Sequence, residues 1–160
     1  MSETLQIRAG GPADYDALGQ LIYDAIHNGP TLYSEAQSQA WMPAPRSGPA
    51  WAERLSGKTL IVADDASGRA GFMSLEPGGY VDFAYIRPSA QGQGLFRKLF
   101  DAVKTAALAG RETSLSTHAS LMAQPAFKAM GFEVVQHEIV KVDGQELKRA
   151  EMRLELGSET

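Results

Sequence analysis

The chain has 160 residues, of which 44% are hydrophobic, and a formal net charge of −4. This length and composition predict one soluble domain over residues 1–160, and the acidic balance argues against nucleic-acid binding through bulk positive charge. No cysteine is present, which excludes disulfides, thiol nucleophiles and thiolate metal sites. Because the opening lacks a leader-like pattern and no apolar run reaches ~18 residues, we expect a cytoplasmic protein without a membrane segment.

The first part of the chain is predicted to hold one strand followed by helices. Leu5–Ala9 is typical of a short strand. Pro12 suits an early position of the helix that follows, in which apolar residues recur at helical spacing from Tyr15 to Ile26 and which ends at Asn28–Gly29–Pro30. A second helix is expected over residues 31–41, with Ser34 as its cap. Residues 50–55 are predicted to add one or two further helical turns.

Three consecutive strands are predicted in the middle of the chain. Thr59–Asp65 is rich in strand-forming residues, and residues 70–77 and 78–88 follow it after turn signals, as expected for antiparallel partners. One apolar helical face then runs from Gly94 to Leu108. This helix is interpreted as a crossover, so the strands that it joins should be parallel.

The last part of the chain is predicted to contain a strand, a short helix and a long hairpin. The strand covers residues 113–118 and the helix residues 125–130, while residues 132–142 and 146–156 alternate around a turn at Asp143–Gly144. The whole order predicts an α/β (α+β) fold. We expect a mixed, mostly antiparallel sheet with a parallel central pair and helices on both faces.

The loop Gln91–Gly92–Gln93–Gly94 before the crossover helix is the most informative motif. A helix start leaves several backbone N–H groups unpaired and partly positive, and two glycines leave those groups unshielded, so a diphosphate can approach them. A plain turn into a helix is the alternative interpretation of a Gly-x-Gly pair. A Walker loop is excluded because no Gly-Lys-Ser/Thr follows, and a dinucleotide fingerprint is disfavoured by the residue at the third glycine position.

The stretch Gln91–Gly92–Gln93–Gly94–Leu95–Phe96 resembles the pyrophosphate-binding loop of the GCN5-related N-acetyltransferases, the GNAT family. The strand "YVDFAYIRP" and the segment "HASLMAQPAFKAMGFEVV" are also similar to this family, so the resemblance spans nearly the whole chain and is closest to a small bacterial subgroup. It implies that the parallel pair splays apart after roughly Ile86, and that acetyl-CoA is the co-substrate, with no metal. The residues that it assigns to acetyl-CoA binding are Tyr85, Ile86, Arg87, Gln91, Gly92, Gln93, Gly94, Leu95, Phe96, Arg97, Ser120 and Phe127.

Two residues depart from the family pattern. Phe96 stands where the loop has a small residue, which crowds the helix start. Phe127 stands where many members have a tyrosine that protonates the leaving thiolate, and phenylalanine has no proton to give. Tyr80, Tyr85 or water is left to supply that proton. Ser120 either bonds the cofactor or caps the next helix.

Three residues are candidates for the catalytic step: Asp82 and His118 as the base, and Tyr80 as a donor of the proton to the leaving thiolate. Asp82 is the first choice as base, because strand alternation puts it on one side with Tyr80, Ala84 and Ile86, and burial in an apolar strand would raise its pKa. The alternative for Asp82 is a paired carboxylate that only positions a cationic substrate. His118 is the second choice, since an imidazole titrates near neutral pH.

Tyr33 and Trp41 are assigned to the acceptor side by the resemblance, with core packing as the alternative. The predicted function is transfer of an acetyl group from acetyl-CoA to a primary amine of a small molecule or peptide, by direct attack in a ternary complex. The alternative is a non-catalytic acyl-CoA-binding sensor. The final hairpin offers an exposed strand edge, which makes a homodimer reasonable.

Overall fold

The computed structural model describes residues 5–157, which form a seven-stranded sheet with helices on both faces. The helices are α1 (Tyr15–Asn28), α2 (Glu35–Trp41), α3 (Gly48–Leu55), α4 (Leu95–Ala109) and α5 (Gln124–Ala129). The strands are β1 (Gln6–Ala9), β2 (Thr59–Asp65), β3 (Gly68–Glu76), β4 (Tyr80–Ile86), β5 (Ser114–Ser120), β6 (Glu133–Val142) and β7 (Gln145–Glu155). Their order across the sheet is β1-β2-β3-β4-β5-β7-β6.

Neighbouring residues of β3 pack into two separate hydrophobic cores, because successive side chains of a strand point to opposite faces of the sheet. Phe72 packs with Ile22 on the face covered by α1 and α3. Met73 packs with Leu99 on the face covered by α4. All four side chains are fully buried, and burial stabilises each by about 1.5–3 kcal/mol. Both faces of the central sheet are therefore closed by helices.

The parallel pair β4–β5 is short, as the crossover through α4 predicts. Its ladder holds only Tyr80 with Ser116 and Val81 with Thr117, and the Thr117 hydroxyl donates a hydrogen bond of 2.8 Å to the Val81 carbonyl. The strands separate beyond this point. The expected fold class is confirmed, but the gap begins directly after Val81, five residues earlier than the predicted Ile86.

A β-bulge in β4 explains the early separation. Met73 pairs with Ala84 and Leu75 pairs with Val81, so two residues of β4, Asp82 and Phe83, oppose a single residue of β3. Such a bulge bends the strand and re-aims its side chains. The Ser74 hydroxyl accepts a hydrogen bond of 2.9 Å from the Phe83 amide and so satisfies the interrupted ladder.

The bulge also changes the alternation of side chains along β4 from the one that the sequence predicted. Val81, Ala84 and Ile86 all pack on the α4 side, whereas Phe83 and Tyr85 pack on the α1 side. Because the phase changes within the strand, Asp82 does not share a side with Ala84 and Ile86, and the prediction that it does is wrong.

Two local signals in the sequence are confirmed. The Ser34 side chain accepts a hydrogen bond from the Gln37 amide in a capping box, so α2 begins at Glu35 rather than at residue 31. Asp143 and Gly144 both have positive φ, 46° and 80°, as a two-residue hairpin turn between β6 and β7 requires.

Within residues 5–157, no helix has both the length and the apolar character needed to span a membrane.

Candidate active site

A groove of about 590 Å³ opens where β4 and β5 separate. One wall comes from the end of β4 and the start of α4, and the other from the segment between β5 and α5 and from the end of α1. None of the described residues that line it carries a charge. The predicted site residues among them are Trp41, Tyr85, Ile86, Gln91, Gly92, Gly94, Leu95, Phe96 and Ser120. The groove therefore suits a long, mostly apolar ligand.

The glycine loop lies at one end of this groove. Gly92 and Gly94 have φ values of +77° and +78°, and a Cβ added at either would meet nothing within 4 Å. The first backbone bond of α4 is the 3.4 Å contact from the Lys98 amide to the Gly94 carbonyl, and no described side chain caps the helix start. The preceding amides thus point outward with the positive end of the helix dipole behind them, which is favourable for an anion.

Four predicted cofactor residues lie outside the groove. Arg87 is held 2.5 Å from Asp65 in an ion pair, and Gln93 and Arg97 are exposed. Arg97 reaches the Ala129 carbonyl at 3.4 Å. Phe127 is only 2% exposed and packs edge-on against Phe96 and Phe132. The structure therefore corrects the expectation for Phe127, since an apolar side chain at this position belongs to the core.

Contacts between the two walls close one side of the groove. The Leu32 amide and the Thr31 hydroxyl lie 3.3 and 3.6 Å from the Met122 sulfur. Both segments also line the groove. The stretch between α1 and α2 thus forms a bridge over the gap to the segment that follows β5.

Tyr33 stabilises this bridge through hydrogen bonds and is not part of an open pocket wall. Its hydroxyl donates to the Lys148 carbonyl at 2.5 Å and accepts from the Leu121 amide at 3.2 Å. The residue is 7% exposed, and burial raises the pKa of its phenol. Its ring packs edge-on against Trp41 at 5.5 Å, so core packing is the interpretation that the contacts favour for Tyr33, while Trp41 lines the groove.

Asp82 is not in the apolar environment that the sequence predicted. Its carboxylate lies 2.7 Å from the Lys58 ammonium and 3.1 Å from the Arg54 guanidinium. Two cations thus occupy oxygens that a base would need free. The alternative of a paired carboxylate is the one that the geometry favours.

Tyr80 and His118 are in contact, although the sequence treated them as separate candidates. The Tyr80 hydroxyl lies 2.7 Å from Nδ1 of His118. On the other side of the ring, Nε2 lies 3.9 Å from the Glu138 carboxylate. Burial, with a smaller contribution from the charge of Asp82, raises the pKa of the Tyr80 phenol.

Tyr85 lines the groove, and its ring stacks on Phe72 of the α1-side core. Burial, reinforced by the charge of Asp82, raises the pKa of its phenol far above the usual range. The hydroxyl therefore keeps its proton at any physiological pH. It makes no hydrogen bond to another residue within the described part of the chain.

Sequence reasoning missed the contribution of the C-terminal hairpin. Glu138, Arg149 and Glu151 all lie near His118: Glu151 is its register partner on β7, and Arg149 bonds Glu138 at 2.8 Å. The alternation of β6 and β7 from the Asp143–Gly144 turn assigns these residues to one face, and that signal was available. The order β5-β7-β6, which brings them to His118, was not readable from the pattern.

Comparison with known proteins agrees with this arrangement. The family profile for the acetyltransferase (GNAT) domain matches residues 31–156. The chain is 28% identical over 142 residues to YafP of Escherichia coli (strain K12), described as an uncharacterized N-acetyltransferase, with 88% of this chain and 89% of the relative covered.

Two solved structures show the same fold. A GCN5-related N-acetyltransferase from Rhodopseudomonas palustris superposes with a TM-score of 0.85 and 27% identity over 96% of each chain. A GNAT superfamily phosphinothricin acetyltransferase from Sinorhizobium meliloti, solved in complex with AcCoA, superposes with a TM-score of 0.72 and 22% identity over 98% of this chain and 91% of the other.

The chain belongs to the GNAT family, a class of acetyl-CoA-dependent acyltransferases. The family and the enzyme class predicted from the glycine loop and its flanking strands are confirmed.

Proposed function

We propose that this protein is an N-acetyltransferase that moves an acetyl group from acetyl-CoA to a primary amine of a small molecule or peptide. The amine attacks the thioester directly while both substrates are bound. The observation that carries this proposal is the uncharged groove that runs from the unshielded amides at α4 to the gap between β4 and β5.

The donor half of the site fits acetyl-CoA in its chemistry. The amides of Gly92 to Phe96 are suited to the pyrophosphate, and the apolar groove to the pantetheine arm. The Ile86 amide faces the gap left by β5, because the Arg87 amide bonds Ala70 of β3 and backbone groups alternate in direction along an antiparallel strand. The Ile86 carbonyl already accepts from the Gln91 side chain at 3.1 Å, so the amide is the group that is free to bond the arm. Phe96 forms part of the wall instead of crowding the loop, since its ring turns toward Phe127.

The reaction needs proximity, stabilisation of the oxyanion and two proton transfers. Holding thioester and amine together in one cleft supplies a large share of the acceleration. A backbone N–H at the bulge of β4 is a suitable donor to the oxyanion. The Tyr85 hydroxyl, which keeps its proton, is a suitable hydrogen-bond donor to the developing thiolate in place of the tyrosine that Phe127 replaces.

The test is acetyl transfer to a panel of amines, measured as CoA thiol release and as the mass of the acetylated product. The panel pairs each primary amine with its hydroxyl analogue, and includes polyamines, phosphinothricin and peptides with a free amino terminus. We expect transfer to at least one amine class and none to the matched alcohols. Initial rates should give intersecting double-reciprocal lines, since no cysteine is available for an acyl-enzyme.

A non-catalytic acyl-CoA sensor is the second candidate, favoured by Phe127 in the core and by the ion pairs that occupy Asp82. Tight acetyl-CoA binding with no transfer to any amine would select it. For the assembly, we propose a cytoplasmic homodimer through the edge strand β6, whose Val135 and Ile139 are 55% and 58% exposed. Sedimentation equilibrium tests this assembly.

A further inference from the structure

We propose that Glu138 and Glu151 are positioning residues for a Tyr80–His118 proton relay that accepts the proton of the incoming amine. This inference rests on the proposed acetyl transfer and adds two residues of the C-terminal hairpin to its site.

The four groups form a continuous line across four strands, with one residue on each of β4, β5, β7 and β6. The Tyr80 hydroxyl on β4 lies 2.7 Å from Nδ1 of His118 on β5. His118 is directly opposite Glu151 of β7 in the sheet register. One ligand atom each from His118, Glu138 and Glu151 lie within 4.8 Å of one another. Both nitrogens of the imidazole thus have a polar neighbour, a hydroxyl on one side and carboxylates on the other.

This line lies next to the groove, whose lining includes neither Tyr80 nor His118. Ser120 lines the groove, and His118 lies two residues earlier on the same face of β5, a distance of roughly 7 Å along the strand. Tyr80 belongs to the last ladder pairs before β4 and β5 separate. The His118 side chain is 30% exposed, so protons can leave it to solvent. The relay therefore connects the gap to water.

The carboxylates select the tautomer that the relay needs. The Glu138 carboxylate 3.9 Å from Nε2, with Glu151 in the same cluster, favours a proton on that nitrogen, which leaves Nδ1 with a free lone pair. Nδ1 then accepts the hydroxyl proton of Tyr80. Without the carboxylates, the opposite tautomer would place a proton between Nδ1 and Tyr80, and the hydroxyl could no longer pass its own proton to the ring.

The chemistry balances as follows. An ammonium group gives one proton to the Tyr80 oxygen, directly or through one water, while the Tyr80 hydroxyl proton passes to Nδ1 of His118. The neutral amine attacks the thioester carbonyl, so a C–N bond forms and the C–S bond breaks. The second amine proton ends on the thiolate as CoA thiol. The imidazolium, held beside Glu138 and Glu151, returns its proton to solvent.

A divalent cation at His118, Glu138 and Glu151 is the competing use of the same atoms. Arg149 disfavours it, because its Nε already bonds the Glu138 oxygen that faces His118, at 2.8 Å. The cluster therefore already holds one cation, and binding a divalent ion would bring two positive groups to the same carboxylate.

The first test observes the tautomer without any turnover. The imidazole ¹⁵N spectrum of the free protein contains three histidines, His27, His118 and His137, and a His118→Gln variant assigns the relevant signal. When the His118 ring is neutral, we expect Nε2 to carry the proton and Nδ1 to accept the hydrogen bond from the Tyr80 hydroxyl. The Glu138→Gln/Glu151→Gln double variant should give a mixture of both tautomers. A protonated Nδ1 in the wild type, or an unchanged tautomer in the double variant, overturns the relay.

The second test follows the rate. Glu138→Gln should lower kcat about tenfold, as loss of a supporting carboxylate commonly does, with the KM for acetyl-CoA unchanged. The acid limb of the pH–rate profile should move to lower pH, because an anion that favours the imidazolium has gone; Tyr80, Glu151 and Arg149 are the other groups that face the ring. Glu138→Asp should recover part of the rate. The matched control is Glu133→Gln, an exposed residue of the same strand.

The outcomes separate the two proposals. A wild-type protein that binds acetyl-CoA but acetylates no amine refutes the proposed function. A normal wild-type rate that Glu138→Gln leaves unchanged, with an unshifted pH profile, refutes the relay alone. Activity that a chelator abolishes and Zn²⁺ restores also overturns the relay and reassigns the three side chains to a metal site.

Discussion

Replacing Gly92 with aspartate is the most direct perturbation of the proposed pyrophosphate site, which consists of the outward-facing amides at the start of α4. Gly92 has φ of +77° and a Cβ there would meet nothing within 4 Å, so the new side chain fits sterically. Its carboxylate would stand beside the outward amides at the start of α4. Gly57→Asp is a matched control, because Gly57 has φ of +79°, is equally open and lies in the turn between α3 and β2, away from the groove.

The two variants should differ in binding but not in stability. An L-residue in the left-handed region costs about 1–2 kcal/mol, and less for aspartate, so both variants should lose a similar amount of folding free energy. In the Gly92 variant, a carboxylate about 5 Å from one phosphate charge is repelled by roughly 1–3 kcal/mol for effective dielectric constants between 80 and 20. That corresponds to about a 5- to 150-fold loss of CoA affinity for each phosphate charge.

Calorimetric titration with CoA, combined with urea unfolding of each variant, measures both quantities. We expect Gly57→Asp to keep the wild-type Kd and Gly92→Asp to weaken it strongly, more so at low salt than at high salt. Equal CoA affinity in all three proteins would show that these amides do not hold the phosphates. The assignment of the loop would then fail, whatever the family.

Three further outcomes follow from single contacts. Gly19→Ala should destabilise the fold by about 2 kcal/mol or more in urea unfolding, because a Cβ there would lie 2.0 Å from the Arg46 carbonyl oxygen; wild-type stability would contradict this packing. Tyr85→Phe should lower kcat while the Kd for CoA stays constant, and an unchanged kcat would remove its hydroxyl from the reaction. The hydrogen bond from Arg8 holds the pKa of Asp14 well below its usual range, so this carboxylate stabilises the fold above pH ~4 and the contribution is lost as acid protonates it. Asp14→Asn should therefore cost about 2 kcal/mol at pH 7. The difference from the wild type should start to shrink below pH ~4 and close fully only below the lowered pKa of Asp14; a difference that does not shrink in acid would refute the ion pair as the cause.

Most of the fold was accessible from the sequence because it depends on local signals. The capping box at Ser34, the Asp143–Gly144 turn and the crossover helix are short-range patterns with one strong structural solution. The glycine loop was accessible for the same reason, since its function depends on backbone geometry at two neighbouring residues. These features required no knowledge of which distant segments meet.

The surroundings of the catalytic candidates were harder to predict from the sequence, because they depend on contacts between segments that are far apart in the chain. Strand alternation failed for Asp82, since the bulge is created by the mismatch between β3 and β4 and leaves no mark within "YVDFAYI" itself. The cations that pair with Asp82 come from residues 54 and 58, outside its own strand. Phe127 was assigned by counting along the family pattern, which says nothing of the direction in which its ring packs.

The irregularity in β4 has a consequence for how this enzyme can change over time. Before and after it, the side chains of β4 alternate between the two faces of the sheet, but the extra residue at 82–83 shifts this alternation by one position. Point substitutions leave that offset intact, whereas excision of one residue there would restore strict alternation and turn Tyr80 toward the α4 core and Val81 toward His118. Homologues should accordingly conserve the number of residues between Gly79 and the glycine loop more strictly than the identity of residues 82 and 83.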